Sequence, residues 1–212
     1  MTLLGRAFRP FFLLAGVQAS LGVLAWLAVY AGVVPAPGWL SHTPSLWHAH
    51  EMVFGFVVAA AAGFLLTAAP TWTGSRPPAG APLGALAALW LAGRAAMFLS
   101  GAIPLLLVAL VDAALLPAMA FAIGRPIFAA RQRRNYGFPI VLSALALLNA
   151  GAHLDALGLA PGLATVCLHV GVDLATQQTR GALPQVDAHD ERLVTPLDHF
   201  VEHLDRGLAP QR

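Results

Sequence analysis

Two histidines and a glutamate, His48, His50 and Glu51, stand at the mouth of an apolar run in the stretch WHAHEMVFGF, Trp47 to Phe56. From Met52 to Ala69 no charged residue follows. Neutral imidazole is the commonest protein ligand for metals and haem, and a nearby carboxylate orients the ring or takes a proton. Three further sets have the same character. Arg94 and Asp112 each sit inside a long apolar run, His153 precedes Asp155 by two residues, and His169 precedes Asp173 by four. On a helix a spacing of four places His169 and Asp173 on one face. His48 and His50, two apart, point roughly 200° from each other on a regular helix, so they serve different partners unless the helix starts after His48.

The elements that must position these groups are membrane helices. Of 212 residues 58% are hydrophobic and 10% charged, with a mean hydropathy of +0.72. A soluble domain carries about a quarter charged residues, so this composition predicts an all-α, polytopic transmembrane bundle whose partner is the lipid bilayer. Runs of roughly 20 apolar residues mark spans at about 11–34, 50–69, 82–101, 104–124 and 138–159. A sixth begins near Gly162 and loses its hydrophobicity after Ala175, giving five to six spans. The first exceeds the h-region of a signal peptide and is read as a retained helix.

Arginine placement gives the orientation, because cytoplasmic loops carry the excess of basic residues. With the N-terminus inside, Arg6, Arg9, Arg76, Arg125, Arg131, Arg133 and Arg134 all fall on the inner side, and the outer loops hold none. His48 and His50 then lie at the outer, periplasmic side. Arg94 and Asp112 are each nine residues from Ile103, so a tight hairpin brings them to one depth as a buried ion pair. Such a pair either locks the hairpin or leaves Arg94 to hold an anion. The histidines either mark a wet interface beside Trp39 and Trp47 or form a haem or copper site on the outer side, from His48, His50 and His153 with His169 below them.

Several function classes have little support. One cysteine, Cys167, cannot build a disulfide framework or a Cys-based cluster. All basic residues are arginine, scattered between apolar runs without a stripe interleaved with aromatics, so there is no footprint for nucleic acid. His199-Phe-Val-Glu202-His203 matches the H-x-x-E-H pattern of zinc proteases but has no evident third ligand, and reads as part of a solvated amphipathic helix. Gly16/Ser20 and Ala59/Gly63 are small-xxx-small pairs that predict close helix packing.

The chain divides by composition. Residues 1–175 are the transmembrane domain, with four acidic residues; residues 176–212 are a polar tail with six. Leu193, Leu197, Val201 and Leu204 give the tail the spacing of one short amphipathic helix.

Three stretches, FRPFFLLAG (Phe8 to Gly16), WHAHEMVFGF and GFLLTAAPTWTG (Gly63 to Gly74), resemble the NnrS family of bacterial membrane proteins in order and spacing. RNYGFP (Arg134 to Pro139) and LHVGVDL (Leu168 to Leu174) fit the same family, and the resemblance spans about residues 6–175. It implies a multi-pass protein of the bacterial inner membrane that binds haem and copper. It further implies a link to nitric oxide, through denitrification or protection against nitrosative stress. It places the family's histidine motif on His48 and His50 with Glu51, and its later histidine on His169. The metal ligands expected here are therefore His48, His50 and His169, with His153 as a further cofactor ligand. Glu51 and Asp173 are expected as supporting carboxylates or proton acceptors. No reaction comes with the family. Thr71-Trp72-Thr73-Gly74 stands where members usually read NWTG, and members run to roughly double this length. The chain thus resembles the amino-terminal half joined to a different tail, as a true short form, a frameshift or a truncated, inactive fragment. Without a cofactor, the alternative is a transporter or channel in which the histidines and Arg94/Asp112 line a polar route.

Overall fold

Apolar residues on every side of a segment leave only two homes for it, a large protein's core or a bilayer, and in a bilayer a helix satisfies its own backbone. The computed structural model describes residues 3–34 and 44–182 and is all-helical there. After a 3-10 turn at Leu3–Gly5 come α1 (Phe8–Tyr30), α2 (Pro44–His50), a π-helical segment (Glu51–Val57) and α3 (Val58–Thr73). Then follow α4 (Ala81–Phe98), α5 (Leu105–Ala113), α6 (Leu115–Ala129), α7 (Gly137–Ala156) and α8 (Leu163–Ala182). Among the described residues, five helical stretches are long and apolar enough to cross a membrane: Phe8–Tyr30, Pro44–Thr73, Ala81–Phe98, Leu105–Ala129 and Arg133–Ala156. The sixth apolar stretch, Leu163–Thr176, is shorter.

The chain divides between Ala175 and Thr176, within α8. The expected tail helix, with His199, Glu202 and His203, lies outside the described residues, as does Trp39.

Local chemistry sets the boundaries. Gly74 ends α3 in the left-handed conformation (φ 66°), a geometry that glycine adopts without strain. Pro82 sits in the first turn of α4, where its missing N–H has no intrahelical acceptor to lose. Pro117 cannot donate to the Ala113 carbonyl, and the fourth span breaks there into α5 and α6. At one end of the bundle the Gly80 amide donates to the Leu4 carbonyl (3.0 Å), tying the first turn to the α3–α4 connection.

Packing follows the small residues, selectively. A Cβ on Gly63 would stand 3.0 Å from the Phe12 ring, so this glycine lets α1 and α3 close on each other. Gly16 has open space around it, and Ser20 only returns its hydroxyl to the Gly16 carbonyl. Of the two small-residue pairs, one packs helices and the other does not.

Burial runs opposite to a soluble protein's. Phe12, Leu13, Val17, Leu21, Leu24 and Leu27 of α1 are exposed, while His50, Glu51, Asp112, Asn149 and His153 are buried. Two apolar clusters flank those polar residues. One includes Val53, Phe54, Trp90, Leu115 and Leu145. The other includes Val29, Trp47, Met97, Val108 and Ala152. Along each contributing helix the polar residue falls between a member of one cluster and a member of the other. The bundle is apolar outside, apolar at both inner ends, and polar in one layer between.

Where α7 meets α8, a Cβ on Gly151 would come within 2.6 Å of Cys167 Sγ. Gly151→Ala is expected to destabilise the chain by about 1–3 kcal/mol, the usual penalty of overpacking. Adding Cys167→Ala should restore most of the loss, read as thermal unfolding in detergent. Equal melting of the single and double variants would show that this contact is not the closest point of approach.

Candidate functional site

The polar layer is a continuous hydrogen-bonded network built from six elements. Arg94 on α4 donates from Nη1 to Glu51 Oε1 at 2.7 Å and from Nη2 to Asp112 Oδ1. Gln18 on α1 donates to Glu51 Oε2 at 2.7 Å. On the far side, Asn149 Nδ2 and His153 Nε2, both on α7, donate to Asp112 Oδ2 at 3.0 and 2.9 Å. Asn149 then accepts from His50 Nε2 at 2.9 Å through its Oδ1. Four interior residues are almost without solvent contact: His50 0%, Asn149 1%, His153 2% and Asp112 4% exposed.

Each oxygen of both carboxylates accepts from an N–H donor. Arg94, a permanent cation, donates to one oxygen of each carboxylate, and an opposite charge at that distance favours the charged form of both. Both are therefore ionised. Charges at the centre of a bilayer cost about 2.5–3.5 kcal/mol each on insertion scales, which is why none of these stands without donors.

Backbone irregularity delivers two of the participants. The π-helical segment starts at Glu51 and takes in Gly55, whose carbonyl accepts from Trp90 Nε1 at 3.1 Å. Such segments are rare and gather at functional sites. A Cβ on Gly55 would stand 3.0 Å from Gln18 Nε2, 3.1 Å from Arg94 Nη1 and 3.3 Å from Glu51 Oε2. That glycine is the floor on which the Glu51 end of the network rests. Gly93 does the same at the Asp112 end, with the Asp112 backbone 3.3 Å from where its Cβ would be.

Of the residues singled out in the sequence, the structure gathers His50, Glu51, Arg94, Asp112 and His153. It places the others elsewhere. His48 stacks on Trp26 of α1, ring centroids 4.5 Å apart at 24°. Asp155 accepts from the Ala164 amide (2.8 Å) at the first turn of α8 and caps that helix. His169 and Asp173 lie on an exposed face of α8. Asn149 and Gln18 were not anticipated. Asn149 stands four residues before His153 in an otherwise apolar run, a spacing that puts both on one face and could have identified it. Gln18 is an isolated polar residue in the first span, and no pattern marks it.

Among the described residues, one group of three could hold a metal ion: His50, Asp112 and His153, with ligand atoms within 4.8 Å of one another. His153 Nε2 and His50 Nε2 lie 2.9 and 3.5 Å from Asp112 Oδ2. Ligands about 2.0–2.2 Å from a common ion are separated by roughly 3–4 Å, so the set closes on a small cation with slight movement. Two imidazoles and a carboxylate suit copper or zinc. Haem does not fit this cluster. The enclosed cavity against Arg94, Asp112 and Asn149 is about 10 Å³, room for one water-sized guest. The roomy grooves along α1 have no histidine in their lining. His169 offers a different geometry. Its Nδ1 bonds the Thr165 carbonyl at 2.7 Å, which leaves Nε2 as the lone-pair atom on an open face.

Fold and site together define a helical membrane protein with a buried His/Asp/His group in its interior. The chain matches the NnrS protein family over residues 2–177 and belongs to that family. No curated protein and no solved structure matches it.

Asn149→Leu keeps the bulk but removes the 2.9 Å acceptor of His50 Nε2 and a donor to Asp112. Stability is expected to fall by about 1–3 kcal/mol. Ser143→Ala, which removes only a hydroxyl bonded to the Pro139 carbonyl of its own helix, should change it by less than about 0.5 kcal/mol. Similar thermal shifts for the two would show that Asn149 is not a structural member of the network.

Proposed function

We propose that this chain is a copper- and haem-binding protein of the bacterial inner membrane acting in the nitric oxide response. The observation that carries the metal part is the convergence of His50, Asp112 and His153 from three separate helices into one buried group. Such a group has little value as packing, since apolar residues of the same volume would fill the space at lower cost. Copper at these residues would supply a redox-active ion able to bind a small diatomic molecule.

The protein's own residues have distinct parts. Asp112 is the shared carboxylate, held in place by Arg94 so that one oxygen faces the two imidazoles. Asn149 fixes His50 through Nε2, and to hold a metal there His50 would release that hydrogen bond and carry its proton elsewhere. Glu51 balances Arg94 from the other side, and Gln18 fixes Glu51. The two apolar clusters exclude water from the layer, which keeps the electrostatics strong.

Haem is assigned to the open α8 face, where His169 Nε2 is oriented by its partner bond, with Asp173 one turn further along. This rests on tautomer and access, the features by which His169 would hold a haem iron. The connection with nitric oxide, in denitrification or nitrosative-stress protection, comes from family membership. The arginine distribution supports an inside N-terminus and a periplasm-facing WHAHE segment.

The test is metal analysis and optical spectroscopy of the detergent-purified chain, expressed with copper and haem available. About one copper per chain is expected, falling to background in His50→Ala and in His153→Ala. The Soret band should survive those two substitutions and vanish in His169→Ala. Copper retained without His50 and His153 would defeat the buried-site assignment. A Soret band indifferent to His169 would defeat the α8 assignment. A folded, colourless and metal-free chain would leave the transporter reading in its place.

A further inference from the structure

The charge count of the polar layer constrains which ions its metal site can hold. Resting on the reading of His50, Asp112 and His153 as a metal centre, we infer that Glu51 and Arg94 tune that centre to a single positive charge, so that it selects monovalent over divalent ions. Glu51 and Asp112 contribute two negative charges, and the hydrogen bonds at all four oxygens hold both ionised. Arg94 contributes one positive charge through contacts to both. With neutral imidazoles the layer carries one net negative charge. Among the described residues the other buried charged side chain is Asp155, whose carboxylate is already engaged at the amide end of α8, where the helix dipole offsets it.

The layer lies between two apolar clusters, and the adjoining cavity admits one water-sized guest. In so dry an interior the total charge matters more than it would at a surface. A monovalent ion brings the layer to neutrality. A divalent ion leaves it with an uncompensated positive charge. Donor type alone argues the other way, since imidazole and carboxylate suit divalent copper and zinc. The two effects can be separated because Glu51 and Arg94 alter charge without belonging to the ligand set.

The experiment equilibrates the full, metal-stripped chain in detergent with equimolar Ag(I) and Zn(II), and in parallel with Cu(I) kept reduced and Ni(II). Retained metal is then measured by mass spectrometry. The wild-type chain is expected to keep the monovalent ion by tenfold or more. Glu51→Gln removes one negative charge and should weaken monovalent binding by about tenfold. Arg94→Gln leaves two net negative charges and should reverse the order in favour of the divalent ion. Arg94→Lys keeps the charge and should keep the wild-type order, which separates charge from any loosening of the hairpin. Tight binding of both ion classes, unaltered by Glu51→Gln and Arg94→Gln, would overturn this inference while leaving the metal centre standing. A folded chain that binds none of these ions would overturn both.

Discussion

Everything in the interior answers to one carboxylate. Asp112 lies in the middle of the fourth span, and an ionised group there is tolerated only when its oxygens are fully engaged. Meeting that demand takes a guanidinium from α4 and an amide and an imidazole from α7. Those partners bring obligations of their own. Arg94 reaches past Asp112 to Glu51, Glu51 draws Gln18 from the first helix, and Asn149 engages His50. A single buried charge thus fixes the relative depth and rotation of nearly every span. In a bilayer, where apolar side chains are as content against lipid as against protein, polar contacts of this kind carry specificity that packing alone does not.

The layered arrangement explains how such a network can coexist with a stable bundle. Trp47 and Val53 bracket His50 and Glu51; Trp90 and Ala96 bracket Arg94; Val108 and Leu115 bracket Asp112. Each helix therefore carries its own insulation on both sides of its polar residue. The outer surface needs no polarity, and α1 leaves Leu13, Leu21 and Leu24 exposed there. Polar inward and apolar outward is the arrangement a lipid-embedded protein with an interior site requires.

How much of this was legible beforehand depends on whether the signal was local or shared between helices. Span number and class came from runs of apolar residues, which a bilayer makes nearly sufficient. The depth of Arg94 and Asp112 came from counting out of the Ile103 turn, and the two are bonded in the structure. The allocation of histidines was less accessible. His48, His50 and His169 were expected as metal ligands from their motifs, whereas the structure groups His50 with His153 and Asp112. Sequence spacing reports what one helix can do, and it could not say which helix faces which. Asn149 went unnoticed because a lone amide in an apolar run reads as tolerated polarity until the carboxylate it serves is known. Asp155, two residues from His153, was noted only for its spacing. A helix turns those two side chains roughly 200° apart, and the amide end of α8 gives Asp155 a partner.

The two departures from regular helix meet at the same layer. The π-helical segment begins at Glu51, and the break forced by Pro117 falls just beyond Asp112. A regular α-helix commits all its backbone groups internally and presents side chains at a fixed 100° step. A wider turn changes that step, and the Gly55 carbonyl takes an outside donor, Trp90 Nε1, beside the Val58 amide of its own segment. Around Glu51 the wider turn lets Gln18, Arg94 and the Gly55 backbone meet in a space that any larger residue at position 55 would fill. Near Asp112 the helix is interrupted just beyond the point where α4 comes close, over Gly93. Irregular backbone in a membrane survives only where protein, not lipid, surrounds it. Its occurrence on both carboxylate-bearing spans, at the depth of the carboxylates, ties these irregularities to assembling the polar layer, and with it the site.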